Sequence, residues 1–135
     1  MMFPVLCFGQ TADEFANSGL DKGNLKDYKG AIDDFNKAIE LNSNDTGSYY
    51  NRATAKFSLK DYKGAIDDYS KVIEFVPDNA SAYKMRGMAK VSLEDYDGAI
   101  DDFNTLILLT PDFAWAYYNR GFVKGVLEDY NGAID

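Results

Sequence analysis

Three pairs of adjacent aspartates, Asp33 and Asp34, Asp67 and Asp68, and Asp101 and Asp102, carry the clearest capacity for chemistry in this 135-residue sequence. Neighbouring carboxylates can share a proton, so that one serves as acid while the other stays a base, or they can hold a hard cation. Upstream of the pairs stand Arg52, Arg86 and Arg120, each followed four residues later by a lysine, Lys56, Lys90 and Lys124. Two considerations turn these charges away from catalysis. Adjacent residues of a helix point about 100° apart, so the two carboxylates of a pair do not converge. The pair also returns in successive segments, which suits a ladder of ion pairs or solvated faces between neighbouring helices better than a single active site. Exposed pairs of this kind contribute about 0 to 1 kcal/mol each, so they would set register more than they add stability. The absence of histidine removes the commonest general base, the commonest metal ligand and any Ser-His or Cys-His nucleophile pair. The expectation is a chain that is not an enzyme, with no catalytic residue, no metal site and no cofactor.

Composition narrows the partners. Lysine and arginine total 14 against 22 aspartates and glutamates, and the net charge of -8 repels phosphate backbones and anionic lipid surfaces. Nucleic acid and membranes are therefore poor partners, and no run of 18 apolar residues exists to cross a bilayer. Cys7 is the one cysteine, so neither an intrachain disulfide nor a thiolate cluster can form. With 46% hydrophobic residues the chain can bury one domain-sized core. Residues 1–11 stand apart as an apolar N-terminal segment. MMFPVLCFGQ followed by TADEF resembles the tail of a secretory signal without its basic start, which would place the mature protein in the periplasm or outside the cell. The alternative is an apolar strap on the first helix of a cytoplasmic protein.

The elements that would hold the charges are written in a repeat. DYKGAIDD at 27–34 returns unchanged at 61–68, as DYDGAIDD at 95–102 and as DYNGAID at 129–135. The upstream half returns as well, in YYNRATAK at 49–56, AYKMRGMAK at 82–90 and AYYNRGFVK at 116–124. A period of 34 signals stacked units, each too small to bury its own apolar face. Within a unit the apolar spacing is helical, as in Ala99, Ile100, Phe103, Leu106, Ile107 and Leu109, and two helices per unit result. The Asp of each DY step can cap the second helix. The glycine three residues on (Gly30, Gly64, Gly98, Gly132) is expected to relieve a close helix crossing. Pro77 and Pro111 close the second helices of units two and three, and Ser43, Asn44 and Asp45 make a weaker stop in unit one.

A 34-residue helix-turn-helix unit with a small residue at its eighth place, Tyr at the seventeenth, Ala at the twentieth, an aromatic at the twenty-fourth and Pro at the thirty-second resembles the tetratricopeptide repeat (TPR). Unit three has Gly87, Tyr96, Ala99, Phe103 and Pro111 in these places, unit two Ala53, Tyr62, Ala65, Tyr69 and Pro77, and unit one Gly19, Tyr28, Ala31 and Phe35. The resemblance spans 12–135, as units 12–45, 46–79, 80–113 and a truncated 114–135. Two departures stand out: the family's fourth-place tryptophan is Phe15, Tyr49, Tyr83 and Tyr117, and arginine takes the seventh place of units two to four, where leucine is usual. The resemblance implies an all-α, right-handed superhelical stack of antiparallel helix pairs, a TPR solenoid of about three and a half repeats, acting as a protein-interaction scaffold.

The resemblance further implies that the first helices line a concave groove for a peptide or a partner helix. Asn17, Leu20 and Asn24 would come from unit one, Tyr50, Asn51, Thr54 and Phe57 from unit two, and Lys84, Met85, Met88 and Val91 from unit three. Unit four would add Trp115, Tyr118, Asn119 and Phe122. Such a strip suits an extended peptide or an amphipathic helix, unless inter-helix packing or the N-terminal segment covers part of it. The family's clamp for C-terminal carboxylates is expected to be absent, because only Lys84 and Asn119 fall in its places and Met88 replaces an Asn. In unit four the expectation is a first helix over 114–127 and only Tyr130 to Asp135 of a second. The apolar residues matching Phe103, Leu106 and Ile107 are missing there, on the order of 5 to 9 kcal/mol of burial. Val123, Val126, Leu127 and Ile134 would be left uncovered, and the chain would be a piece of a longer bacterial array, a homo-oligomer through this end, or both. The alternative function is a self-associating structural module with no groove ligand.

Overall fold

The computed structural model describes residues 9–134, so residues 1–8 of the apolar N-terminal segment lie outside it. Seven helices follow one another: α1 (Ala12–Asn24), α2 (Tyr28–Leu41), α3 (Thr46–Ser58), α4 (Tyr62–Phe75), α5 (Ala80–Ser92), α6 (Tyr96–Leu109) and α7 (Ala114–Ile134). Each packs on its neighbours in sequence and α1 also touches α3, giving an all-α stack of antiparallel helix pairs. Their starts follow from side-chain caps that satisfy orphan N–H groups. Thr11 and Glu14 form a reciprocal pair at α1, with the Glu14 amide donating to Thr11 Oγ1 at 3.2 Å and the Thr11 amide to Glu14 Oε2 at 2.9 Å. Asp27, Asp61 and Asp95 accept from the amides of Gly30, Gly64 and Gly98 at 3.0, 3.0 and 3.1 Å.

The role expected for those three glycines needs correction. A Cβ at Gly30, Gly64 or Gly98 would collide with the carboxylate of Asp27, Asp61 or Asp95, because the capping side chain folds back over its own helix. The close helix crossings are at Gly19 and Gly87, where an added Cβ would lie 2.7 Å from the Phe35 ring and 2.6 Å from the Phe103 ring.

Within units one to three the two helices are joined by a tight reversal. The Asp27 amide donates to the Lys22 carbonyl and the Lys26 amide to the Gly23 carbonyl, both at 2.9 Å, and Lys26, Lys60 and Glu94 take positive φ of 63°, 64° and 60°. This left-handed conformation costs about 1 to 2 kcal/mol for a residue with a side chain. Packing of the returning helix offsets it in the first three units. In unit four Glu128 holds the corresponding place, yet no reversal forms and α7 continues as one helix from Ala114 to Ile134. The expected break after residue 127 is thus absent: with few apolar residues to bury on returning, adding further turns to an existing helix is favoured over starting a new one.

The core consists of three clusters, each joining the second helix of one unit to the first of the next. Ala31 and Phe35 pack with Ala55, and Ala65, Tyr69 and Val72 with Ala53 and Ala82. Ala99, Phe103 and Leu106 pack with Ala116 and Val123. Val123 is only 2% exposed, contrary to the expectation that the end of the stack leaves it uncovered. Ala116 and Val123 are seven residues apart, so they share the stripe of α7 that faces α6. Val126 and Leu127 are half-buried.

Replacing Gly87 by Ala should destabilise the protein by about 1 to 3 kcal/mol, since the new methyl must displace the buried Phe103 ring. The same change at Gly121, where nothing lies within 4 Å of an added Cβ, should be neutral or stabilise by up to about 1 kcal/mol through helix propensity. Urea unfolding of the two variants beside the parent distinguishes these outcomes.

Candidate functional site

The aspartate pairs separate into two environments. Asp33, Asp67 and Asp101 are exposed, whereas Asp34, Asp68 and Asp102 are 5%, 4% and 2% exposed inside the helix interfaces. A carboxylate buried this deeply requires matched charge and hydrogen bonds. Asp68 receives Arg52 Nη2 at 2.6 Å and Nε at 2.8 Å, a two-point grip, together with Lys56 Nζ at 2.8 Å. Asp102 receives Arg86 Nη2 at 2.6 Å and Nε at 3.0 Å, with Lys90 Nζ at 2.9 Å. In unit one Ser18 Oγ and Lys22 Nζ take these roles on Asp34, both at 2.6 Å. The expected ion pairs between neighbouring helices are therefore present within units one to three, but their carboxylate ends are buried rather than exposed, so the small magnitude expected of exposed pairs does not apply to them.

The titration of these groups follows their surroundings. Burial by itself raises the Asp34 carboxyl, but hydrogen bonds from Lys22 and Ser18 bring it below its ordinary value. The bond to Asp68 raises the Arg52 guanidinium despite opposing burial. With each inner carboxylate gripped by donors and its neighbour facing solvent, a pair has no geometry for proton sharing. Among the described residues no three His, Cys, Asp or Glu side chains gather where a metal could sit.

The residues assigned to a concave groove take several environments. Asn51 and Thr54 share a pocket of about 260 Å³ with Leu20 and Asn24. Tyr50 and Asn51 border a second, of about 390 Å³, with Asn79 and Ser81. Tyr50 lies edge-on to Tyr69 at 5.4 Å, and the Thr54 hydroxyl meets the Tyr69 hydroxyl at 3.0 Å. Burial pushes the Tyr69 hydroxyl up to about 12, so it stays protonated at neutral pH. Lys84 Nζ stands 4.9 Å from the Trp115 ring and 5.5 Å from that of Phe113. Trp115 stacks on Phe113 and meets Phe103 edge-on, both at 5.7 Å. Phe57 packs edge-on to Tyr62 at 5.2 Å, and Met85 lies against the cluster around Tyr69. Val91 packs against the cluster around Phe103, and Met88 is half-buried. Asn119 donates through Nδ2 to the Trp115 carbonyl at 2.8 Å, so that donor is engaged by its own helix. Asn17 is exposed, and Tyr118 and Phe122 are 73% and 58% exposed.

Two features escaped the sequence reading. Phe113, which stacks with Trp115 beneath Lys84, precedes α7 and lies outside the first-helix places from which the groove was assigned. The inner aspartates carried a usable signal: Ala31, Asp34, Phe35 and Ala38 follow the i, i+3, i+4, i+7 spacing of a buried stripe.

Comparison with known proteins places these features in context. Models described as tetratricopeptide repeat match residues 22–45 and 48–79, and one described as TPR repeat matches residues 87–125. The first TPR of Spaghetti (RPAP3), bound to the HSP90 peptide SRMEEVD, is 24% identical with a TM-score of 0.82, over 88% of this chain and 94% of that one. The second TPR domain of human RPAP3, in complex with the HSP70 peptide SGPTIEEVD, is 27% identical with a TM-score of 0.74, over 84% and 98%. The Arabidopsis OM64 TPR domain is 26% identical with a TM-score of 0.79, over 84% and 94%. No curated protein matches the sequence.

Asp68→Ala should cost about 3 to 5 kcal/mol, because it leaves Arg52 and Lys56 without their carboxylate, whereas Asp67→Ala at the exposed position should stay within about 0.5 kcal/mol. Acid adds a second signature. The Asp34 carboxyl lies below its ordinary value of 3.8 in the folded protein, so its contribution is full above that value and is lost as pH falls through the folded one. Urea midpoints should decline below about pH 4, and the decline should be shallower in Asp34→Asn.

Proposed function

Because the chain belongs to the tetratricopeptide repeat family, whose domains are protein–protein interaction modules, we propose that it holds an extended peptide or a partner helix on the face formed by its first helices. The observation that carries this reading is the exposure of Tyr118 and Phe122, 73% and 58%, on α7. Two aromatic rings left in water near the Lys84–Trp115 contact offer large apolar area that a ligand can cover. They recur at i, i+3 and i+7 with Trp115, which puts the three on one stripe of α7. Asn51, beside the pocket shared with Leu20 and Asn24, supplies polar groups for a ligand's main chain at the other end of the stack, and the Thr54 hydroxyl next to it is held by the Tyr50 carbonyl and the Tyr69 hydroxyl. Tyr50, Phe57 and Met85 support this face through their packing and touch the ligand with only part of their surface. The peptide complexes of the RPAP3 domains, similar in fold, are in keeping with this reading. A scaffold of this kind needs no reacting group, in keeping with interior aspartates whose hydrogen bonds are all spent on holding helices together.

A peptide selected from a random library on the parent protein should bind at least about tenfold more weakly to Tyr118→Ala and Phe122→Ala, roughly 1.4 kcal/mol or more per ring. Their thermal midpoints should match the parent's, since both side chains are largely exposed. Equal affinity for the parent and both variants, read by fluorescence anisotropy, would remove α7 from the binding face.

A further inference from the structure

The pocket of about 260 Å³ lies between α1 and α3, and two rings of α2, Tyr28 and Phe35, line it from behind. All of its walls belong to these three helices. It opens where the repeat lacks one side chain. Gly23 is followed, at the period of 34, by Phe57 and Val91. Phe57 meets Tyr62 edge-on with ring centroids 5.2 Å apart, and Val91 packs with Tyr96 on the cluster around Phe103. In unit one Tyr28 holds the place of Tyr62, but Gly23 brings no ring to it, and a Cβ added at Gly23 would meet nothing within 4 Å. The inner wall is therefore aromatic and reachable from the face formed by the first helices.

We propose that a peptide bound on this face inserts a neutral aromatic side chain, such as that of phenylalanine, into the pocket against Tyr28; this rests on the reading of the first-helix face as the ligand face and adds a residue that the ligand must carry. Size, charge and ring geometry each select that occupant. A cavity of about 150 Å³ accepts benzene, so a pocket of about 260 Å³ has room for one aromatic side chain. No charged residue lines it, in a chain of which 27% is charged, and an ion placed there would lose its hydration without gaining a partner. The Phe57–Tyr62 contact shows the edge-on approach that a ring makes to this tyrosine place when a ring is present. Asn24 and Asn51 at the rim offer amides to the main chain that flanks the inserted ring.

N-acetyl-phenylalaninamide, neutral and aromatic, is a suitable probe. Titrated into the isotope-labelled full chain, it should shift the amide resonances of Gly23, Asn24 and Asn51 saturably, with a dissociation constant on the order of 1 mM for a ligand of its size. N-acetyl-alaninamide should bind at least about tenfold more weakly, since it brings no ring. Gly23→Phe rebuilds the unit-two arrangement and should weaken the phenylalanine probe at least about tenfold; circular dichroism should show the variant folded, because its side chain starts in open space. Gly23→Ala, which removes the glycine without filling the pocket, should keep most of the affinity. Absence of saturable shifts, equal binding of the alanine probe, equal binding by Gly23→Phe, or an equal loss in Gly23→Ala would overturn the proposal. Library peptides read the face as a whole: if they depend on Tyr118 and Phe122 yet bind Gly23→Phe as tightly as the parent, the aromatic pocket falls and the ligand face stands.

Discussion

A carboxylate inside a helix interface stays ionised only where the chain supplies donors for it, and Asp34, Asp68 and Asp102 impose that constraint once per unit. Each belongs to the stripe of its helix that faces the core, next to an aromatic residue at most 2% exposed. A hydrophobic residue of similar size could serve stability as well there. What the ion pair adds is discrimination. If the second helix slid by one turn, the carboxylate would leave its partners, an arginine and a lysine at Asp68 and Asp102 and Ser18 with Lys22 at Asp34, and an uncompensated charge would remain in the interface. The spacing of the first helices, and with it the spacing of the side chains they carry, rests on this refusal of alternative registers.

The fold was legible because the sequence writes its weak local signals repeatedly. One Asp-Tyr step is a poor indicator of a helix start; the same step at 27, 61 and 95, each with a glycine amide to cap, is a strong one. Features that depend on how two elements meet were less legible. Gly30 and Gly87 look alike in the sequence, yet one makes room for its own cap and the other for a ring on another helix. The burial of Val123 depends on the rotation of α7 about its axis, and the missing reversal at Glu128 on whether a returning helix has enough to bury. Neither quantity is encoded within the few residues concerned.

The candidate site shows the same division. The family resemblance assigns places on a face but not rotamers, so it named Tyr118 and Phe122, which project into solvent, together with Phe57 and Met85, which pack inward. Asn119, which the resemblance assigned to the groove, spends a donor on its own backbone. The pairing of the inner aspartates with a neighbouring helix was legible, but their burial was not: charge argues for the surface and periodicity for the interior, and periodicity prevails when cationic and hydroxyl donors stand one helix away.

Arg52 and Arg86 reach in both directions, to an aspartate of their own unit and to Asn36 or Ser70 of the unit before. Such a side chain works as a rivet through three helices, and its fixed length meters the rotation from one unit to the next. The pitch of the superhelix is then set partly by the backward acceptor. Serine is shorter than asparagine, and the Arg86 bond to Ser70 is 3.0 Å against 2.7 Å for Arg52 to Asn36 and 2.8 Å for Arg120 to Asn104. Each joint between units thus carries its own polar acceptor, which one substitution can change without altering the ion pair beside it.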